Sequence, residues 1–223
     1  MYNEKTTKEL LEVLGQYRML TFESQLILNQ ELVSRNIAID KSDLEKTIDE
    51  KLAQIKNLDY LKDFGFNAVI TNEGVIVTRT TKAIIMDVLA IIFGVIVFFI
   101  GVYGIGSLVA MFVNGDDFNV FSLAINFAIS SLVLTGFKFF NGIKRLLDYA
   151  GFQLSNANGM ITLRKRFDLK LEEIKAKTSD LFLEAEEEEM VLRIGEHIIF
   201  NSNAENIIQR MTLEELSKIL RKV

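Results

Sequence analysis

Residues 88–113 read VLAIIFGVIVFFIGVYGIGSLVAMFV and contain no charged side chain. A second uncharged stretch, FNVFSLAINFAISSLVLTGF, occupies residues 118–137, and only the residues NGDD separate the two. A helix rises 1.5 Å per residue, so roughly 20 apolar residues cross the hydrocarbon core of a bilayer. The sequence therefore predicts a transmembrane helical hairpin over residues 83–140, with spans at about 84–112 and 118–138. The alternative is a buried hairpin of a soluble protein, which is disfavoured because core helices seldom contain so long an uncharged run.

Basic side chains flank both predicted spans, whereas the connecting turn is acidic. The flanking bases are Arg79 and Lys82 before the first span and Lys138, Lys144 and Arg145 after the second. Short basic flanks remain on the cytoplasmic side of a membrane. We therefore expect a multi-pass protein of the bacterial inner (cytoplasmic) membrane with both termini in the cytoplasm and the turn outside.

Asp87 is the one acid at the beginning of the first predicted span. The 26 residues from Val88 to Val113 would extend ~39 Å as a helix, against a hydrocarbon core of ~30 Å. Because the span has residues to spare, we expect Asp87 to lie at the membrane interface. The alternative is a proton or ion site within the membrane.

The composition excludes several classes of function. The 223 residues include 25 basic and 30 acidic side chains, which gives a net charge of −5. These charges are mixed outside the hairpin, so the basic surface typical of nucleic-acid-binding proteins is not expected. The chain contains no cysteine, which excludes disulfides, thiolate metal sites and cysteine nucleophiles. The first 80 residues are polar and amphipathic, so we expect no cleavable signal peptide.

Residues 1–64 have the apolar spacing of a cytoplasmic helical region. Capping-box patterns occur in two places, at Thr6 with Glu9 and at Ser42 with Glu45. From Leu44 to Leu61 the apolar residues recur every three or four positions, which predicts an amphipathic helix. We expect this helix to form a docking surface for a partner if its apolar face is not wholly buried.

After Gly65 the apolar spacing changes to every second residue. Residues 65–82 predict a β-hairpin, and residues 141–223 predict a cytoplasmic β-rich domain with a C-terminal helix capped by Thr212 with Glu215. The stretches GFNAVITNEGVIVTR and GFQLSNANGMITLRK form either a weak internal repeat or a chance similarity, and Asn158-Gly159 is predicted to make the turn in the second. Since an antiparallel membrane hairpin returns the chain to the same side, we expect residues 66–80 to contact residues 151–200.

The region after the second span carries a family resemblance. The residues concerned are Gly151-Phe152, Gly159-Met160-Ile161-Thr162-Leu163-Arg164, Phe167 to Ile174 and the final helix. They resemble the bacterial pleckstrin-homology-like domains that occur beside transmembrane hairpins. The resemblance implies a small cytoplasmic β-rich domain and allows binding of lipid headgroups. The predicted fold class is an α+β membrane protein with N-terminal helices, a two-helix transmembrane hairpin and this PH-like domain.

One basic cluster could meet anionic headgroups, which attract each base near the membrane surface by about 1 kcal/mol. Its members are Lys144, Arg145, Arg164, Lys165 and Arg166. The alternative is that they are ordinary topology charges together with an exposed strand end.

Small and polar residues are predicted to mediate packing between the two spans. They are Ala90, Gly94, Gly101 and Gly104 on the first helix and Asn119, Ser122, Asn126 and Ser130 on the second. Small residues permit close approach of two backbones, and polar side chains hydrogen-bond between helices in a membrane. The alternative is that the polar stripe lines a pore in an oligomer.

The sequence offers little catalytic chemistry. His197 is the only histidine, and we expect it to be structural because one histidine cannot form a triad or a His-based metal site. Asp116 and Asp117 are expected to form a hydrated turn, since two adjacent acids make a poor cation cage. No phosphate-binding or dinucleotide-binding glycine motif is present. We therefore expect no catalytic residue, cofactor or metal.

The expected function is that of a non-enzymatic membrane-anchored adaptor, scaffold or regulatory subunit. Its expected partners are the lipid bilayer and a protein partner or a second copy of the chain, with anionic headgroups as a further possibility and no nucleic acid. Two alternatives remain open. One is an anionic-lipid-binding PH-like module, and the other is an oligomeric pore-forming or effector membrane protein.

Overall fold

The computed structural model describes residues 2–71, 74–114, 120–139, 141–167 and 170–222. It combines helices and sheets. The helices are α1 (Thr7–Leu14), α2 (Phe22–Ser34), α3 (Ser42–Lys56), α4 (Thr81–Asn114), α5 (Val120–Phe139), α6 (Asn141–Asp148) and α7 (Ile207–Arg221). The strands are β1 (Phe66–Thr71), β2 (Gly74–Arg79), β3 (Gln153–Ala157), β4 (Met160–Phe167), β5 (Lys170–Lys177), β6 (Leu181–Glu186), β7 (Glu189–Ile194) and β8 (His197–Asn203). The predicted hydrated turn at Asp116 and Asp117 lies outside the described residues.

The strands form two sheets, and the chain forms two compact units. One sheet has five strands in the order β1-β2-β3-β4-β5, and the other has three in the order β6-β7-β8. Unit 1 comprises Met1–Ile76, Ser155–Ile161 and Lys175–Val223. Unit 2 comprises Val77–Leu154 and Thr162–Ile174. Unit 1 thus contains segments that precede the apolar hairpin in the sequence and segments that follow it.

Within unit 1, two contacts join residues 66–80 to residues 151–200, as the hairpin geometry predicts. The ring of Phe66 packs edge-on against Phe200, with centroids 4.9 Å apart and an interplanar angle of 73°. The backbone of Gly74, at φ +147°, lies so close to the Asn156 carbonyl that a Cβ would overlap it. Only glycine fits this close approach.

A helical core occupies the N-terminal part of unit 1. Its buried members are Tyr2, Leu10, Leu14, Phe22, Leu28, Leu32, Leu44, Ile48 and Ile55, with Ile207, Ile208 and Met211 of α7 packed against them. The three- and four-residue apolar spacing that predicts helices here is the spacing that places these side chains on one face. The apolar face of α3 is therefore internal.

Two of the three predicted caps differ in the structure. The capping box of Thr6 with Glu9 forms, with both reciprocal hydrogen bonds present. Ser42 is not an N-cap, because α3 begins at Ser42 with Lys41 in the N-cap position; Asp40 Oδ1 accepts hydrogen bonds from the Ser42 backbone N–H at 3.0 Å and hydroxyl at 2.7 Å. The last helix begins at Ile207 behind the N-cap Asn206, and Thr212 is buried inside it, where its hydroxyl donates to the Ile208 carbonyl at 2.7 Å.

Tight turns connect the strands of the C-terminal region, which the sequence predicts to be β-rich. Asn158 and Gly159 connect β3 to β4 with φ values of 53° and 71°, the left-handed conformation that an Asn-Gly hairpin turn requires. The strands β6 and β7 pair antiparallel from Leu181 opposite Ile194 to Glu186 opposite Glu189, which places the four glutamates 186–189 at a hairpin tip. Leu213, Leu216 and Leu220 of α7 are buried in unit 1.

Unit 2 contains two helices that are long and apolar enough to span a membrane, within Thr81–Val113 and Val120–Asp148. Along α4, Gly94 faces Phe139, Gly101 faces Val133 and Gly104 faces Ile129. The partner numbers fall as the α4 numbers rise, so α4 and α5 run antiparallel. The helix α6 then packs on α4, with Gly142 against the carbonyl of Asp87.

Candidate functional site: an arginine–aspartate cluster beside a cavity

Asp87 lies in the second turn of α4 and forms ion pairs with two arginines. Its Oδ2 is 2.7 Å from Nη2 of Arg79, the last residue of β2, and its Oδ1 is 3.3 Å from Nη2 of Arg145 on α6. The side chains of Asp87 and Arg79 are only 7% and 11% exposed, whereas that of Arg145 is 59% exposed. The carboxylate thus has one buried partner and one partner that faces outward.

Tyr149, one residue after α6, is approached by two cations. Cζ of Arg79 lies 4.9 Å and Nζ of Lys165 lies 5.0 Å from the centre of its ring, within the range of cation–π attraction. Burial raises the pKa of the Tyr149 hydroxyl, and the negative charge of Asp148 adds to the rise while Arg79 opposes it. Burial also lowers the pKa of Lys165, with a further contribution from the charge of Lys144.

A cavity of about 250 Å³ adjoins this cluster. It is lined by Arg79, Ile84, Asp87, Arg145, Leu146, Tyr149, Ala150 and Gly151, all of which belong to unit 2. One part of the wall is ionic and the other is apolar. Such a wall suits a ligand that has a charged group attached to an apolar or neutral part.

The predicted headgroup residues divide into two sets. Lys144 and Arg145 are exposed on α6, and Arg164 is exposed on β4. Lys165 is half-buried over Tyr149, and the half-buried Arg166 donates from Nε to the Ala150 carbonyl at 3.4 Å. The structure therefore brings Lys165 and Arg166 to the end of α6, where Arg145 also lies.

The predicted small residues of α4 lie against its helical neighbours. Gly94, Gly101 and Gly104 face α5, and Ala90 lies beside Gly142 of α6. A Cβ on Gly104 would lie 2.7 Å from Ile129 Cγ2 and 2.8 Å from the backbone N of Ser130. Gly136 on α5 also belongs to this interface, although the sequence prediction omitted it, because its added Cβ would lie 2.8 Å from Phe98 Cα.

The predicted polar stripe of α5 is only partly described. Asn119 lies outside the described residues, and Ser122, Asn126 and Ser130 are half-buried. The hydroxyl of Ser130 donates to the Asn126 carbonyl at 2.7 Å. This hydrogen bond stays within α5, whereas the prediction placed the stripe's hydrogen bonds between helices.

The amphipathic helix predicted as a docking surface does not offer its apolar face. Leu44, Ile48 and Ile55 of α3 are buried, and so are Leu58 and Leu61 just beyond it. His197 is exposed at the start of β8, opposite Ile194. Among the described residues, no three histidine, cysteine or acidic side chains are grouped so as to hold a metal ion.

Sequence reasoning missed the convergence of Arg79, Asp87, Arg145 and Tyr149. It treated Arg79 as a topology charge and Arg145 as a topology charge or a headgroup contact, and it gave Asp87 an interfacial position without pairing it to either arginine. The available signal was that Asp87 immediately precedes the first uncharged stretch and that basic residues flank the predicted hairpin on both sides. Comparison with family models, with curated proteins and with solved structures found no match to this chain.

Proposed function

We propose that this chain is an integral membrane protein, anchored by α4 and α5, that acts as a non-enzymatic adaptor, scaffold or regulatory subunit on the cytoplasmic side. The observation that carries the membrane location is the outer surface of these two helices. Their exposed side chains include Phe93, Phe99, Val109, Phe112, Phe121, Phe127 and Leu134. Soluble monomers seldom expose an apolar surface of this extent, so lipid is the environment that suits it.

The helix lengths support the same proposal. The 34 residues of α4 extend about 51 Å, which exceeds the ~30 Å hydrocarbon core. The surplus allows the first turns of α4, including Asp87, to lie at headgroup level. Because α4 and α5 are antiparallel, Lys82 and Lys138 belong to the same end of the hairpin, and the positive-inside rule assigns that end to the cytoplasm.

The adaptor role is supported by the edge of the five-stranded sheet. The terminal strand β1, FNAVIT, has no charged side chain, and Val69 and Ile70 on it are exposed. The other terminal strand, β5, reads KLEEIKAK, and charges of this density are what proteins use to prevent strand pairing. An uncharged edge with exposed aliphatic side chains suits strand addition by a protein partner.

The membrane location can be tested by cysteine labelling, because the chain contains no cysteine of its own. We expect Asp116→Cys to react with an impermeant maleimide on intact cells. Met19→Cys, at an exposed position of unit 1, should react only after lysis. Labelling of Met19→Cys alone on intact cells would reverse the topology, and loss of the protein from carbonate-washed membranes would overturn the anchoring.

The adaptor role can be tested by mild-detergent pull-down from the native host followed by mass spectrometry. We expect Ile70→Lys to lose a protein that the unmodified chain retains. Met19→Lys is the matched control, because it adds the same charge at another exposed apolar position of unit 1, and it should retain the partner. Recovery of this chain alone, with turnover of a substrate by the purified protein, would contradict the proposal.

A further inference from the structure

The cavity beside Asp87 has an excess of positive charge. Arg79 and Arg145 both pair with Asp87, so these three side chains have a net charge of about +1 at neutral pH. Lys165 Nζ lies 5.0 Å from the ring centre of Tyr149, which lines the cavity, and the charge of Lys144 acts on Lys165. Asp148, the other acid at this end of α6, offsets one of these bases. The field in the cavity therefore favours an anion.

Arg145 is the group that can contact such an anion. Its side chain is 59% exposed, and Nη2 lies 3.3 Å from Oδ1 of Asp87. A guanidinium has five N–H donors in a planar fork, so this one ion pair does not use all of them. This fork matches the oxygens of a phosphate in a bidentate arrangement. Arg79, by contrast, is buried against Asp87 and Tyr149, and it forms the fixed wall of the cavity.

The apolar part of the wall identifies the kind of phosphate. Ile84, Leu146 and Ala150 line the cavity beside the arginines, and the uncharged run of α4 begins one residue after Asp87. In the proposed membrane orientation, on which this inference rests, the cavity opens at headgroup level. A phosphodiester there has its charge beside the guanidinium and its glycerol and acyl carbons beside the aliphatic side chains.

We infer that this cavity binds the phosphate of an anionic membrane phospholipid, with Arg145 as the contacting residue and the Arg79–Asp87 pair as its support. The ligand class is a phosphodiester with no compensating cation in its headgroup, as in phosphatidylglycerol. The site is distinct from diffuse surface attraction because it depends on one arginine in a cavity.

The test uses the full chain in detergent, titrated with short-chain phosphatidylglycerol and, separately, with short-chain phosphatidylcholine. We expect tighter binding of phosphatidylglycerol and about a 10-fold loss of its affinity in Arg145→Gln, the usual effect of losing a charge-assisted hydrogen bond. Arg164→Gln is the matched control, since Arg164 is exposed on β4 and does not line the cavity, and it should change the affinity less than about 2-fold.

Four results would overturn the inference, and the last of them is normal lipid binding by Arg145→Gln. The first is equal binding of the two lipids, and the second is an equal loss in Arg145→Gln and Arg164→Gln, which would indicate diffuse attraction. The third is displacement of the lipid by equimolar inorganic phosphate, which would assign the site to a soluble phosphate. An unchanged melting temperature of Arg145→Gln shows that the variant is folded. If position 116 is labelled from outside but Arg145→Gln binds normally, the membrane location stands and only this inference fails.

Discussion

The substitution Gly104→Ala tests directly whether α4 and α5 are in close contact. The added Cβ would lie 2.7 Å from Ile129 Cγ2 and 2.8 Å from the backbone N of Ser130, whereas ordinary contact begins at 3.4 Å. The two contacts fall short of 3.4 Å by about 0.7 and 0.6 Å, so the helices must separate locally by that distance. Contacts along the interface are then lost because dispersion attraction falls steeply with distance. Overpacking of this kind typically costs about 1–3 kcal/mol.

Gly106→Ala is the matched control in the same helix. Nothing lies within 4 Å of the position that its Cβ would occupy, so the substitution introduces no collision. Both variants gain the same intrinsic helix propensity, up to about 1 kcal/mol in water, and this contribution cancels when they are compared. We therefore expect Gly104→Ala to be less stable than Gly106→Ala by about 1–3 kcal/mol.

The measurement is the free energy of unfolding in mixed micelles, supported by the melting temperature in detergent. For a chain of this size, the difference corresponds to a melting temperature lower by about 2–12 °C in Gly104→Ala than in Gly106→Ala. If the two variants unfold with the same free energy, the close contact between α4 and α5 at this position does not exist.

Two further predictions concern ionised groups. Asp87→Asn removes the carboxylate that pairs with the buried Arg79 at 2.7 Å, and breaking a buried ion pair should cost about 3–5 kcal/mol of stability. Arg145→Gln should cost less than about 1 kcal/mol because that pair is largely exposed, so equal melting temperatures of the two variants would refute this ranking. Hydrogen bonds from Thr6 to Glu9, first from the backbone N–H and then from the hydroxyl, hold the pKa of Glu9 below 4.5. The stability that these bonds contribute is therefore complete above pH 4.5 and is lost as the pH falls through the lowered pKa. Carboxyl NMR titration should give Glu9 a lower pKa in the unmodified chain than in Thr6→Ala.

The features that the sequence predicted well depend on neighbouring residues. The two apolar helices follow from uncharged stretches whose length exceeds that of ordinary core helices. The turn at Asn158 and Gly159 follows from the left-handed backbone that these two residues tolerate. The capping box of Thr6 with Glu9 forms through reciprocal hydrogen bonds between residues only three positions apart. In each case the decisive interaction lies within a few residues.

The features that were wrong or missed depend on competition or on distant contacts. Thr212 fits a capping pattern, but Asn206 caps the helix six residues earlier. Thr212 therefore lies within α7, on its buried face. The apolar face of α3 is satisfied by the helical core of unit 1, which its own periodicity could not reveal. Likewise, the partners of Asp87 are eight and 58 positions away, so no local pattern pairs them.

Substitutions of the two arginines that pair with Asp87 should therefore have different effects, one on stability and the other on lipid binding. Arg79 is buried and its guanidinium is held by Asp87 and by the ring of Tyr149, so its loss removes support from β2, α4 and the end of α6 together. Arg145 is held by one longer ion pair and faces outward, so a phosphate that recruits it still leaves the carboxylate paired with Arg79. In the proposed site, lipid binding therefore uses the exposed arginine and never uncovers a buried charge. We expect Arg79→Gln to lower the melting temperature at every lipid composition, and Arg145→Gln to remove only the extra stability that phosphatidylglycerol confers over phosphatidylcholine. If both variants respond to lipid in the same way, the cluster acts as one structural unit and has no separate binding residue.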